Sequence, residues 1–176
     1  MTPCTESQGW RNDAHAKVTG REKYTDDLKF ARLLHAVPVY SDHVHARIVR
    51  LHTAEAGRQP GVIRVVTAAD VPGVNRYGQI IRDFRIFADD KIRYHGDVVA
   101  VVVAESRDLA IRAAALVRVE AIPLPAVLDP EEALRPGAVL VHEEHGSNLI
   151  NTHRIRRGDV DEGFRQASFV LEETFR

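Results

Sequence analysis

The sequence predicts an α/β domain of mixed α+β character, and three adjoining stretches carry that reading. Residues 97–104 are almost wholly Val and Ala, the composition of a strand covered on both faces. Ser106 then offers a helix cap and Asp108 an acid in the first turn. Leu109, Ala113 and Leu116 follow at i, i+4 and i+7 on one helical face, with Arg107 and Arg112 off it. Val117-Arg-Val-Glu-Ala121 alternates and reads as the next strand. A helix crossing between two strands favours parallel pairing, so a mixed sheet with short crossover helices is expected. A chain of 176 residues can bury one real core, or at most two small lobes.

The other elements can be placed in order. Residues 1–12 are polar and patternless and are expected to be a flexible lead-in. Residues 33–40 are apolar enough for a strand, but Pro38 removes a ladder donor and points to an edge or a bulge. Arg47-Ile-Val-Arg-Leu51 fits a strand with one wet face. Thr53 can cap a short helix over 54–58, and Pro60-Gly61 turns the chain into the β-branched strand Val62-Ile-Arg-Val-Val66. Thr67-Ala-Ala-Asp70 has capping-box spacing and can hold one turn before Pro72-Gly73. Residues 74–87 show no periodicity and read as a long loop, a class that often carries function. Asp129-Pro130-Glu131-Glu132 is a strong helix start, and Asp159 with Asp161 and Glu162 begins another short helix. Phe169, Leu171 and Phe175 would share one face of a final strand over 169–175.

Composition excludes several classes. The formal net charge is −1, and the arginines are interleaved with acids, so nothing favours nucleic acid or an anionic membrane. Residues 98–104 form the longest apolar run, far short of a membrane span, and no secretory signal opens the chain, so a cytoplasmic location is expected. Cys4 is the only cysteine: it cannot form an internal disulfide, nor hold an iron–sulfur cluster, which needs about four thiolates. Dinucleotide-binding and P-loop glycine patterns are absent. His43-x-His45 and His142-Glu-Glu-His145 are the closest histidine pairs. The second is not the zinc-protease spacing, and no further converging ligand is indicated, so surface or hydrogen-bonded histidines are expected and no metal site is assigned. The pair Glu131-Glu132 is explained by a helix dipole, and Asp89-Asp90 by a turn before the Val-rich strand.

Several blocks recur in a family-like order: Asp13-Ala-His-Ala-Lys-Val-Thr-Gly20, His43-Val-His-Ala-Arg-Ile-Val49, Pro60-Gly-Val-Ile-Arg-Val-Val-Thr-Ala-Ala-Asp-Val-Pro-Gly73, Phe87-Ala-Asp-Asp-Lys-Ile-Arg-Tyr-His-Gly96, Leu124-Pro-Ala-Val-Leu-Asp129 and Gly158-Asp-Val-Asp-Glu-Gly-Phe-Arg-Gln-Ala167. The stretch they mark out, with the sequence between and after them, is residues 13–176. This set resembles the leading domain of the molybdenum-binding subunit of the xanthine dehydrogenase/aldehyde oxidase family. The resemblance implies an α/β-hammerhead fold over 13–176, ending ahead of the domain that binds the molybdenum cofactor. It implies a complete enzyme with a molybdopterin-type molybdenum cofactor, two [2Fe–2S] clusters and FAD, hydroxylating an N-heterocycle such as a purine, or an aldehyde, with oxygen from water. None of these cofactors is expected in this chain, which is expected to be inactive alone. The expected partners are the molybdenum-binding domain and the iron–sulfur and FAD subunits or domains.

Turns, caps and apolar strands make up most of these blocks, so they identify a fold, and no catalytic residue is assigned. The resemblance implies one exception. In relatives, residues just past the Asp-Val-Pro-Gly block project toward the substrate channel, and the matching positions here are Gln79 and Ile80. A plain loop role is the competing reading. Relatives with purine substrates often carry bulky apolar or aromatic residues there, so Gln79 leaves the substrate class open. The other reading of the whole chain is a stand-alone, non-catalytic hammerhead module for binding or assembly.

Overall fold

A computed structural model of the chain describes residues 11–79 and 81–175. The first helical turns, α1 (Ala14–Val18), follow Asp13, whose carboxylate pairs with Arg11 at 2.9 Å and with Lys17 at 2.5 Å. Strands β1 (His35–Tyr40) and β2 (Ala46–His52) come next, then α2 (Ala54–Gly57) and β3 (Val62–Val66). Two short arms, β4 (Arg76–Tyr77) and β5 (Phe84–Arg85), precede β6 (Lys91–Ile92), β7 (Val98–Ala104), α3 (Arg107–Ala114) and β8 (Arg118–Pro123). Helices α4 (Pro130–Ala133) and α5 (Val160–Gln166) close the sequence of elements. The chain divides into two compact units after Leu124.

The first unit is built on three small antiparallel sheets, in the orders β1-β7-β3, β6-β2-β8 and β4-β5. β7 is the central strand of the first, and its Val99, Ala100, Val102 and Ala104 are fully buried, as the Val/Ala run requires. The core gathers Ile92, Val99, Val102 and Val117 around Ala46, Ala56, Ala88, Ala100 and Ala113, whose small side chains let the backbones approach. Pro38 lies on the edge strand β1, paired with Val101, one residue before a bulge at Val39/Tyr40. The Ser106 hydroxyl accepts from Leu109 N at 3.3 Å and starts α3, which buries Ala110 and Ala113.

The expected parallel pairing of the strands flanking α3 is not formed. Both edges of β7 are occupied, by β1 and β3, so β8 has no place beside it. The helix instead delivers β8 to a free edge of β2, where it pairs antiparallel. The expected Thr53 cap is also modified: Thr53 sits at the N-cap of α2 but makes no side-chain cap hydrogen bond. By contrast, the Asp70 carboxylate accepts from both Thr67 N (2.8 Å) and Thr67 Oγ1 (3.1 Å), as the capping-box spacing predicts.

In the second unit, Asp129 accepts from Glu131 N (2.8 Å) and Glu132 N (2.9 Å) to start α4, and Asp159 accepts from Glu162 N (3.0 Å) to start α5. Asn148 ties the intervening loop together. Its amide donates to Ala133 O and Val139 O, both at 2.9 Å, and its oxygen accepts from Val141 N at 3.0 Å. Residues 169–175 are not a strand, which corrects the sequence expectation. No described residue pairs with them, and Phe169, Leu171 and Phe175 stand in solvent. A strand exists only through its ladder partner, which an alternating pattern does not supply.

Candidate functional site

The stretch 74–87, unpatterned in sequence, folds back on itself as the β4–β5 ribbon. Arg76 pairs with Arg85 and Tyr77 with Phe84, and the described residues 78, 79 and 81–83 form its tip. Gly78 makes the tip possible. Its φ is +152°, and a Cβ there would lie 1.9 Å from the Ile81 carbonyl oxygen, so only glycine fits. At the base, the Asn75 amide donates to Phe87 O at 2.7 Å while its oxygen accepts from Phe87 N at 3.0 Å. That reciprocal pair imitates a rung of sheet where the backbone supplies none. The same amide reaches Asp89 Oδ2 at 3.3 Å.

Aromatic surface lines the ribbon. The Tyr77 and Phe84 rings lie 5.5 Å apart, tilted by 32°, and both are about half exposed. Val74, Ile86 and Tyr94 add exposed apolar surface. Gln79, one of the two predicted channel positions, lies at the tip and is exposed. Ile80, the other, lies outside the described residues.

Below the ribbon is a charged support. The nearly buried Arg93 guanidinium donates to Lys91 O at 3.0 Å and to Asp90 Oδ1 at 3.4 Å. Arg85 Nε lies 3.6 Å from Asp89 Oδ1. At Asp90 burial pushes the carboxyl up, but the contact with Asp89 and the charges of Arg93 and Arg85 outweigh it and hold it low. Asp97 is buried and accepts from Arg93 N at 3.1 Å. Its burial raises the carboxyl above the usual range, against the pull of that N–H and of the Arg93 charge. Burial likewise raises the Tyr94 phenol, helped by the Asp97 carboxylate and by Tyr77.

His43 and His45 precede β2 rather than sharing a strand face, and His45 is buried. The His142 and His145 rings sit 5.6 Å apart within the second unit. Five polar side chains among the described residues are buried: Ser41, His45, Asp83, Lys91 and Asp97. Ser41 accepts from His43 N and Asp97 from Arg93 N, and each of the others also has a partner. None of these five side chains is left without a partner, so none of them is a ready donor for a pterin cofactor.

Sequence reasoning missed the Tyr77/Phe84 pair and the Asn75 latch. Two-residue arms are too short to show a period of two, so the available signal was Gly78 between two aromatic positions.

The sequence profile of one family, described as "Aldehyde oxidase and xanthine dehydrogenase, a/b hammerhead domain", matches residues 19–125. The chain belongs to that family. The match ends one residue past the first unit, so the three antiparallel sheets are the hammerhead. The chain is 41% identical over 165 residues to a probable xanthine dehydrogenase subunit of Bacillus subtilis (strain 168), covering 94% of this chain and 22% of that protein. It is 35% identical over 163 residues to the nicotinate dehydrogenase large molybdopterin subunit of Eubacterium barkeri, covering 93% of this chain and 38% of that one. Among solved structures, quinoline 2-oxidoreductase from Pseudomonas putida 86 superposes with a TM-score of 0.72 at 32% identity, covering 92% of this chain and 21% of that one. The chain thus spans between 22% and 38% of the length of these two curated relatives. No helix among the described residues is long and apolar enough to cross a membrane.

Proposed function

We propose that residues 13–176 act as the leading, structural part of a molybdenum-dependent hydroxylase. In this reading the chain buttresses a cofactor-binding domain and shapes the entrance for an N-heterocycle, such as a purine, or an aldehyde. The complete enzyme would work in the cytoplasm with iron–sulfur and FAD subunits or domains. A molybdopterin-type cofactor would supply the hydroxylation chemistry, with oxygen from water. This chain contributes no ligand to it. Its own part is geometric: the Gly78 turn and the Asn75 latch hold Gln79 and the Tyr77/Phe84 pair outward on a stiff ribbon. Such a ribbon can present an amide and an aromatic face to a planar substrate without taking part in bond making.

The observation that carries the reading is coverage: relatives named as dehydrogenase subunits match over more than nine-tenths of this chain, yet this chain spans only a minor part of theirs. Metal analysis of the purified chain, paired with turnover assays on xanthine and on an aldehyde, tests it. Molybdenum far below one per chain and no turnover are expected. Stoichiometric molybdenum would end the scaffold assignment.

A further inference from the structure

A cavity of 570 Å³ opens at the end of β2, bounded by α2 and by the start of β8. Three arginines reach it from separate elements: Arg50 from β2, Arg58 at the end of α2, and Arg118 from β8. All three are exposed, and among the described residues none of their guanidinium groups has an ion-pair partner. His52 also lines the cavity, and its Nε2 lies 3.2 Å from Glu120 Oε2. Glu55 is the one carboxylate in the lining, so positive charge is in excess even with a neutral His52. Leu51, Ala54 and Leu116 supply an apolar part of the wall.

We propose that this cavity binds a small organic anion carrying two or more phosphate or carboxylate groups. Like charges gathered on a concave surface repel one another and focus a positive potential, which an anion relieves. The guanidinium fork matches phosphate and carboxylate oxygens two at a time, and three forks set around one space suit a molecule with more than one anionic group. The volume falls in the span of small-molecule sites, about 300–1,000 Å³. The apolar wall suits a ligand with a carbon frame. The cavity is made wholly within the first unit and shares no residue with the β4–β5 ribbon, so it stands or falls independently of the hydroxylase reading.

Calorimetric titration of the chain with pyrophosphate and with citrate, at low ionic strength, tests the proposal. Saturable binding is expected, weakened about tenfold in Arg50→Gln and in Arg118→Gln, the scale of one charge-assisted contact. Arg32→Gln removes the same charge from a residue that does not line the cavity and should change binding less than about twofold. Thermal melts of the variants should match the parent, because the arginines are exposed and form no internal ion pair. No saturable heat with either anion, or equal weakening in Arg32→Gln and Arg118→Gln, would overturn the site. Tighter binding of a hexaglutamate peptide than of pyrophosphate would overturn the small-molecule assignment in favour of an acidic protein segment.

Discussion

Two stretches that the sequence marks as strands behave in opposite ways. Residues 98–104 become the centre of a sheet, with β1 and β3 on their two edges and Val99, Ala100 and Val102 removed from solvent. Residues 169–175 carry the alternation of a strand, yet no described residue pairs with them, and Leu171 and Phe175 are 75% and 91% exposed. An apolar pattern states that a surface needs covering; it does not state what covers it. For β7 the first unit supplies every neighbour, and for residues 169–175 the described residues supply none.

The largest expected effect follows from the first of these runs. Val102→Asp would place a carboxylate at a fully buried position of the core with no built partner, and should destabilise the first unit by more than about 4 kcal/mol. Urea denaturation followed by circular dichroism reads this directly. A variant that keeps its cooperative transition near the parent midpoint would mean that β7 is not the centre of the core.

A smaller effect is expected where neither run reaches. The ribbon tip is held by one steric fact, the approach of Gly78 to the Ile81 carbonyl, rather than by burial. Gly78→Ala must move that backbone, at a local cost of about 1–3 kcal/mol. Hydrogen exchange at the Tyr77 and Phe84 amides should quicken while the global transition shifts far less than in Val102→Asp. Unchanged exchange at both amides would show that the tip accepts a Cβ and that Gly78 is not what shapes it.

What the sequence disclosed divides along the same line between local and non-local causes. β3, β7, α3 and the Asp129 and Asp159 caps were legible because each rests on residues within a few positions of one another. The partner of β8 was not legible. It is decided by which sheet edge is vacant once β1 and β3 have flanked β7, and no short stretch of sequence encodes a vacancy. The ribbon escaped because its arms are two residues each, and its latch joins Asn75 to Phe87 across twelve positions. Gln79 could be singled out only through the family resemblance, since a lone glutamine in a loop carries no chemical signature of its own. The cationic cavity was illegible for a related reason: Arg50, Arg58 and Arg118 form no motif until the ends of β2, α2 and β8 bring them to one opening.

The smallest expected effect returns to the second run. Leu171→Asp makes the same kind of change, apolar to acidic, as Val102→Asp, but at a side chain already in solvent. Stability should stay within about 0.5 kcal/mol of the parent. Solubility should rise, because Phe169, Leu171 and Phe175 present an apolar surface that one carboxylate interrupts. Sedimentation at increasing concentration, run beside the denaturation curve, separates the two quantities. A large loss of stability in Leu171→Asp would mean that residues 169–175 are covered in solution by a second copy of this chain, and that the two runs differ only in where their covering comes from.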